Sequence, residues 1–117
     1  MTLKQIKDIL NAEEIFNWDL PDYEINKACG CDLMSDVLSL NEISALLLTG
    51  LINPQVIRTA EMADILAVCF IRGKKPQEET VKLAEEKKIS LLCTRYSMFE
   101  ACGILYTEGL IGCGKIQ

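Results

Sequence analysis

Three unbroken apolar runs punctuate the chain, Ser44 to Thr49, Ile65 to Ile71 and Ile89 to Cys93. Each closes on a turn signal and is parted from the next by a stretch with helical spacing. A strand covered on one face alternates apolar and polar residues. One covered on both faces reads as continuous Leu, Ile and Val, and crossover helices do the covering. The pattern predicts an α/β fold: a small three-layer sandwich with a mostly parallel five-stranded sheet flanked by helices.

The remaining elements follow from caps and spacing. Thr2 with Gln5 forms a capping-box pattern, and Leu3, Ile6, Ile9 and Leu10 then share one helical face, so a helix is expected to about Asn11. Glu13 to Trp18 and Tyr23 to Cys29 have the composition of two short strands joined across the turn Leu20-Pro21-Asp22. Asp32 stands where an N-cap belongs, ahead of a helix carrying Leu33, Met34, Val37 and Leu38 and stopping at Asn41. Asn53-Pro54 opens a helix whose Val56, Ile57, Ala60 and Ala63 turn inward. The next strand spans Asp64 to Ile71. Pro76 opens a further helix with Gln77, Glu78 and Glu79 in its first turn and Lys87 and Lys88 in its last, matching the macrodipole at both ends. Ser97 with Glu100 starts the final helix, which Gly109 ends; the tail from Ile111 receives no element.

With 117 residues and no Gly/Ser-rich divider, residues 1–117 read as a single domain. The apolar runs fall short of the ~20 residues needed to span a bilayer, and the N-terminus is amphipathic, so no membrane association and a cytoplasmic location are expected. A net charge of −5, with only Arg72, Lys74 and Lys75 clustered, offers no footprint for nucleic acid. The chain has no histidine, which removes the usual general base and the commonest zinc ligand. No cofactor is implied.

Ligands of open α/β sheets prefer the carboxyl ends of the strands. Three loops qualify: Cys29 to Asp32, Thr49 to Asn53 and Arg72 to Lys75. In the second, Gly50 and a capped helix start offer backbone N–H groups to an anion and Thr49 a hydroxyl, without the lysine of a P-loop. The third adds cationic donors, Arg72 and Lys74. Asp32, Ser35 and Asp36 lie within one helical turn, as a cap and polar face or as carboxylates for Mg²⁺ beside a phosphorylated ligand. Cys29 and Cys31 form a Cys-x-Cys pair with redox or soft-metal potential, or two packed thiols.

In order, CGCDLMSDVL (Cys29 to Leu38), LLTGLINPQVIRTAE (Leu47 to Glu61), FIRGKKPQEE (Phe70 to Glu79) and SMFEACGILYTEGL (Ser97 to Leu110) resemble the DRTGG-domain family over nearly the whole chain. These domains are similar to the N-terminal domain of HPr kinase/phosphorylase. The literal Asp-Arg-Thr-Gly-Gly string is absent; Glu24 to Gly30 reads Glu-Ile-Asn-Lys-Ala-Cys-Gly. The resemblance implies a regulatory or ligand-sensing module, commonly dimeric and without an established catalytic activity, of a kind typical of anaerobes and often encoded near iron hydrogenase and related redox genes. It singles out Asp32, Ser35, Asp36, Thr49, Gly50, Asn53 and Arg58 as candidates.

The reading that results is a non-enzymatic homodimer that senses a small anionic ligand, with a nucleotide as one candidate, and acts on a protein partner in anaerobic redox metabolism. Its expected ligand-binding residues are Asp32, Ser35, Asp36, Thr49, Gly50, Asn53, Arg58, Arg72 and Lys74. Two rivals stand beside it: a thiol-based redox or metal-binding accessory protein using Cys29 and Cys31, and an enzyme using Asp32 or Asp36.

Overall fold

A computed structural model describes residues 1–17, 24–40 and 44–114. Its elements run α1 (Leu3–Ile9), β1 (Glu13–Phe16), β2 (Lys27–Gly30), α2 (Met34–Leu40), β3 (Leu46–Thr49), α3 (Gln55–Met62), β4 (Ala67–Phe70), α4 (Glu78–Lys87), β5 (Ser90–Cys93), α5 (Met98–Thr107) and β6 (Ile111–Gly112). The sheet order is β1-β5-β4-β3-β2-β6. All neighbours are parallel except β1, which runs antiparallel to β5.

The three central strands are buried at every position, which is why their sequences do not alternate. Leu47, Val68, Phe70 and Leu91 face one layer with Val37, Val56, Ile57 and Ala84 from α2, α3 and α4. Leu46, Leu48, Ala67, Cys69 and Leu92 face the other with Leu3, Ile6, Leu10, Ala101 and Leu105 from α1 and α5. This division follows from crossover handedness. Steps from β2 to β3, β4 and β5 all move the same way along the sheet, and right-handed crossovers put their helices on one face. The connection from β5 to β6 returns across the whole sheet, so the same rule places α5 on the opposite face.

Local signals account for most element ends. Thr2 Oγ1 accepts from the Gln5 N–H while Gln5 Oε1 accepts from the Thr2 N–H, completing the capping box. Asn53 Oδ1 accepts from the Gln55 N–H at 3.0 Å at the head of α3. Ser97 Oγ accepts from the Glu100 N–H at the head of α5, and the Glu100 carboxylate accepts from the Ser97 hydroxyl instead of the Ser97 backbone, so only half of that box forms. The helix opened by Pro76 begins two residues later, with Gln77 as its cap.

Three expectations change. The strands β1 and β2 are not neighbours; β5, β4 and β3 lie between them, and β1 finds its partner in the distant β5. The turn expected at Leu20-Pro21-Asp22 and the helix stop at Asn41 lie outside the described residues. The tail does take an element: Ile111 and Gly112 pair with Lys27 and Ala28, raising the sheet from five strands to six. On α2 only Val37 of the four expected apolar positions is buried; Leu33 and Leu38 are exposed and Met34 half-buried. Among the described residues no helix is long and apolar enough to cross a membrane.

Candidate functional site

Because β2, β3, β4 and β5 are parallel, their carboxyl ends Gly30, Thr49, Phe70 and Cys93 share one edge of the sheet. The three loops singled out by sequence do meet there, and a fourth, Thr94 to Ser97, joins them. Asp32 Oδ1 accepts from the Thr49 hydroxyl and from the Gly50 N–H, both at 2.8 Å. Lys74 Nζ donates to the Gly50 carbonyl at 3.4 Å. The Arg72 guanidinium reaches the same spot: a Cβ built on Gly50 would lie 3.6 Å from it and 3.8 Å from the Asp32 carboxylate. The Asp32 carboxyl is held below its ordinary value of 3.8, first by the Gly50 hydrogen bond and then, against partial desolvation, by Thr49, Lys74 and Arg72.

This geometry corrects one expectation about a single residue. Asp32 is not a helix cap; the first α2 hydrogen bonds go to the Leu33 carbonyl, and the Asp32 side chain is spent across the chain on Thr49 and Gly50. In the loop after β3 several of the N–H groups already have acceptors. The Gly50 N–H is satisfied by Asp32, the Leu51 N–H donates to Thr49 Oγ1 and the Gln55 N–H to Asn53. An anion arriving there would have to displace an anion the protein already supplies. Ser35 and Asp36 are exposed on α2 and Arg58 on α3, and among the described residues no hydrogen bond joins them to Asp32, Thr49 or Gly50.

Open space at this edge lies one strand further over. The chain leaves β4 for a helix on one face and leaves β5 for a helix on the other, so the β4/β5 boundary is the topological switch point of the sheet. Its floor is closed by two backbone bonds between the loops, Arg72 N–H to the Tyr96 carbonyl at 2.9 Å and Gly73 N–H to the Thr94 carbonyl at 2.8 Å. Beside that floor run two grooves of about 320 Å³ each. One is lined by Asn11, Glu13, Gly73, Lys75, Cys93 and Arg95, the other by Leu10, Asn11, Thr94, Arg95, Tyr96 and Glu100. They share Asn11 and Arg95.

Lys75 and Arg95 line this space, while Arg72 and Lys74 reach the neighbouring Gly50 and Asp32. Arg72, Lys74, Lys75 and Arg95 are all exposed, with Lys75 paired to Glu13 at 2.6 Å. Three residues here hold left-handed backbone, Asn11 at φ 48°, Arg72 at 56° and Gly73 at 68°. Such backbone persists in non-glycine residues only where surrounding structure dictates it; for Arg72 the two bridging bonds to the β5 loop do so. Arg95 is the functional candidate that sequence reasoning missed. A single arginine after an apolar run carries no signal until the topology shows which loops meet.

The two cysteines of the Cys-x-Cys pair differ in burial. Cys29 is 6% exposed inside the core, while Cys31 is half-buried and its thiol donates to the Leu33 carbonyl at 3.3 Å. A redox pair needs one accessible attacking thiol, a role open to Cys31 and closed to the buried Cys29. Burial pushes the Cys93 thiol upward, and that thiol donates to the Lys74 carbonyl at the floor of the groove. Among the described residues no group of three or more His, Cys, Asp or Glu is placed to hold a metal ion.

No protein-family model matches the chain, and no curated protein sequence matches it. Among solved structures it is similar to the CBS and DRTGG domains of the regulatory region of Clostridium perfringens pyrophosphatase, in a crystal structure complexed with the activator diadenosine tetraphosphate. The TM-score is 0.68 at 15% sequence identity, over 89% of this chain and 45% of that one. The two share a fold, and the present chain spans about half the length of the solved one.

Proposed function

We propose that this chain is a DRTGG-like regulatory domain, a non-enzymatic and dimeric cytoplasmic protein that senses a small anionic ligand of the nucleotide class. Arg72, Lys74, Lys75 and Arg95 receive the phosphates, and the Leu10–Tyr96 groove receives the remainder of the ligand. Asp32, Thr49 and Gly50 brace the rim from behind. The output is a protein partner, of the anaerobic redox kind that the family resemblance implies.

The observation that carries this reading is the meeting of the β4 and β5 loops at the switch point, where Lys75 and Arg95 line grooves large enough for a small ligand and Arg72 and Lys74 stand in the adjoining loop. The nucleotide class is favoured by the exposed Tyr96 ring beside Arg95, which offers a base a stacking face next to a phosphate ligand. The similar pyrophosphatase region, crystallised with a dinucleotide activator, points the same way.

A thermal-shift screen of mono- and dinucleotides, with pyrophosphate as the base-free control, tests it. A ligand present at ~100 times its Kd adds about 2.7 kcal/mol to folding stability, a shift of several degrees. The expected result is such a rise for a nucleotide, lost in Arg95→Ala while the unliganded melting temperature stays put. A flat response to every nucleotide at millimolar concentration sinks the proposal, and so does a rise that Arg95→Ala leaves intact.

A further inference from the structure

The helix α5 is apolar almost all the way round, yet only one side of it is covered. Ala101 and Leu105 are buried against the sheet, while on the outside Phe99 is 82% exposed, Tyr106 73% and the neighbouring Ile111 of β6 54%. A helix with no polar face belongs inside a protein. A shallow groove of about 440 Å³ runs along this flank between α5 and β6, and no charged residue lines it. In a chain where one residue in four is charged, that is a selective absence.

The arrangement along the helix is specific. Phe99, Gly103 and Tyr106 are spaced by four and three, so they form one stripe with a gap in the middle. A Cβ built on Gly103 would meet nothing within 4 Å. Packing inside this chain therefore gives no reason for a glycine at a position where alanine makes a better helix. An outside surface lying close against the helix does.

We propose that this flank is the self-contact surface of a homodimer, with α5 of one copy crossing α5 of the other in antiparallel fashion at Gly103. A two-fold axis there brings Phe99 against the partner subunit's Tyr106, and Tyr106 against the partner subunit's Phe99, while the glycines let the helices close. Aromatic side chains of roughly 150–250 Å², exposed to the extent given above, supply with Ile111 about 400 Å² of apolar surface. That is half of the ~800 Å² each partner brings to a standard interface, before Met98, Cys102 and the groove margins are added. Charge agrees with a second copy as the occupant. Two chains of net charge −5 repel, and a face free of charge lets them meet without burying like charges. The inference names the surface for the dimer of the proposed reading and leaves the ligand rim aside, so either can fail without the other.

Light scattering after size exclusion, with analytical ultracentrifugation from 1 to 100 µM, reads the result. The wild-type chain is expected at twice 13.1 kDa. Phe99→Glu and Tyr106→Glu, both at exposed positions, are expected to keep the wild-type circular dichroism and to weaken association at least 100-fold. Gly103→Gln adds a second check: it is expected to match or exceed the wild-type melting temperature of the monomer and yet to dissociate the dimer. A wild-type monomer at 100 µM overturns the proposal, whether or not the face sediments with lipid vesicles. A dimer insensitive to all three substitutions overturns it equally.

Discussion

The Asp32 carboxylate sits 2.8 Å from the backbone nitrogen of Gly50, eighteen residues away, and fills from within the position that a bound anion takes in many α/β proteins. It ties the loop after β2 to the loop after β3, and Lys74 and Arg72 lend it charge from the loop after β4. Asp32→Ala leaves the buried Gly50 N–H and the fully buried Thr49 hydroxyl without their acceptor. A loss of about 1–2 kcal/mol is expected in urea unfolding. The sign of the pH dependence follows from the lowered carboxyl value. The stabilisation is fully present above the ordinary value of 3.8 and disappears as pH falls through the lower folded-state value. Melting curves of wild type and Asp32→Asn should therefore differ at pH 6 and converge in strong acid.

Arg72 combines a charge at the rim with a backbone φ of 56°, a conformation that suits glycine better than arginine. Arg72→Gly separates the two. Stability is expected within about 1 kcal/mol of wild type, because relief of the left-handed strain offsets the extra freedom of the unfolded chain. Affinity for the anionic ligand should fall about tenfold. A larger stability loss in urea would assign the guanidinium to holding the rim instead.

Gly30 packs close against α5. A Cβ there would lie 2.7 Å from the Met98 sulfur and 2.8 Å from the Cys102 sulfur, closer than atoms pack. Methionine can swing aside; the short Cys102 side chain has less room to do so. Gly30→Ala is expected to cost about 1–3 kcal/mol, and Cys102→Ala in the same chain should recover part of it. Chemical denaturation of the single and double variants reads the coupling.

Thr59 on α3 is 1% exposed, and its hydroxyl has no hydrogen-bond partner among the described residues. Thr59→Val keeps the shape and removes the unsatisfied group. A gain of about 0.5–1.5 kcal/mol in the urea midpoint is expected; a loss would reveal a partner for the hydroxyl.

The layers were legible because they rest on local patterns. Ser44 to Thr49 and Ile89 to Cys93 read as doubly covered strands from composition alone, and Thr2, Asn53 and Ser97 announce helix starts through chemistry contained within four residues. Partner choice was not legible. Glu13 to Phe16 carries strand propensity but nothing that names β5, and Ile111 and Gly112 are too few to register as a strand until β2 is seen beside them. Asp32 shows the same limit at the level of one side chain. A carboxylate ahead of an apolar run has the chemistry of a cap and equally that of a long-range acceptor, and only the fold decides between them. The candidate site divides likewise. Arg72 and Lys74 stood out as neighbours in sequence, whereas Arg95 enters through the return of α5 across the sheet.

That return also leaves β6 as a guard two residues long. Ile111 and Gly112 satisfy the outer flank of β2 opposite Lys27 and Ala28, and both are exposed. A margin sealed so thinly is the point at which a foreign strand is most easily accepted. The same feature that lets this chain finish its sheet thus makes that flank the natural place for an added strand to extend it, or for runaway templating to begin once the guard is cut away.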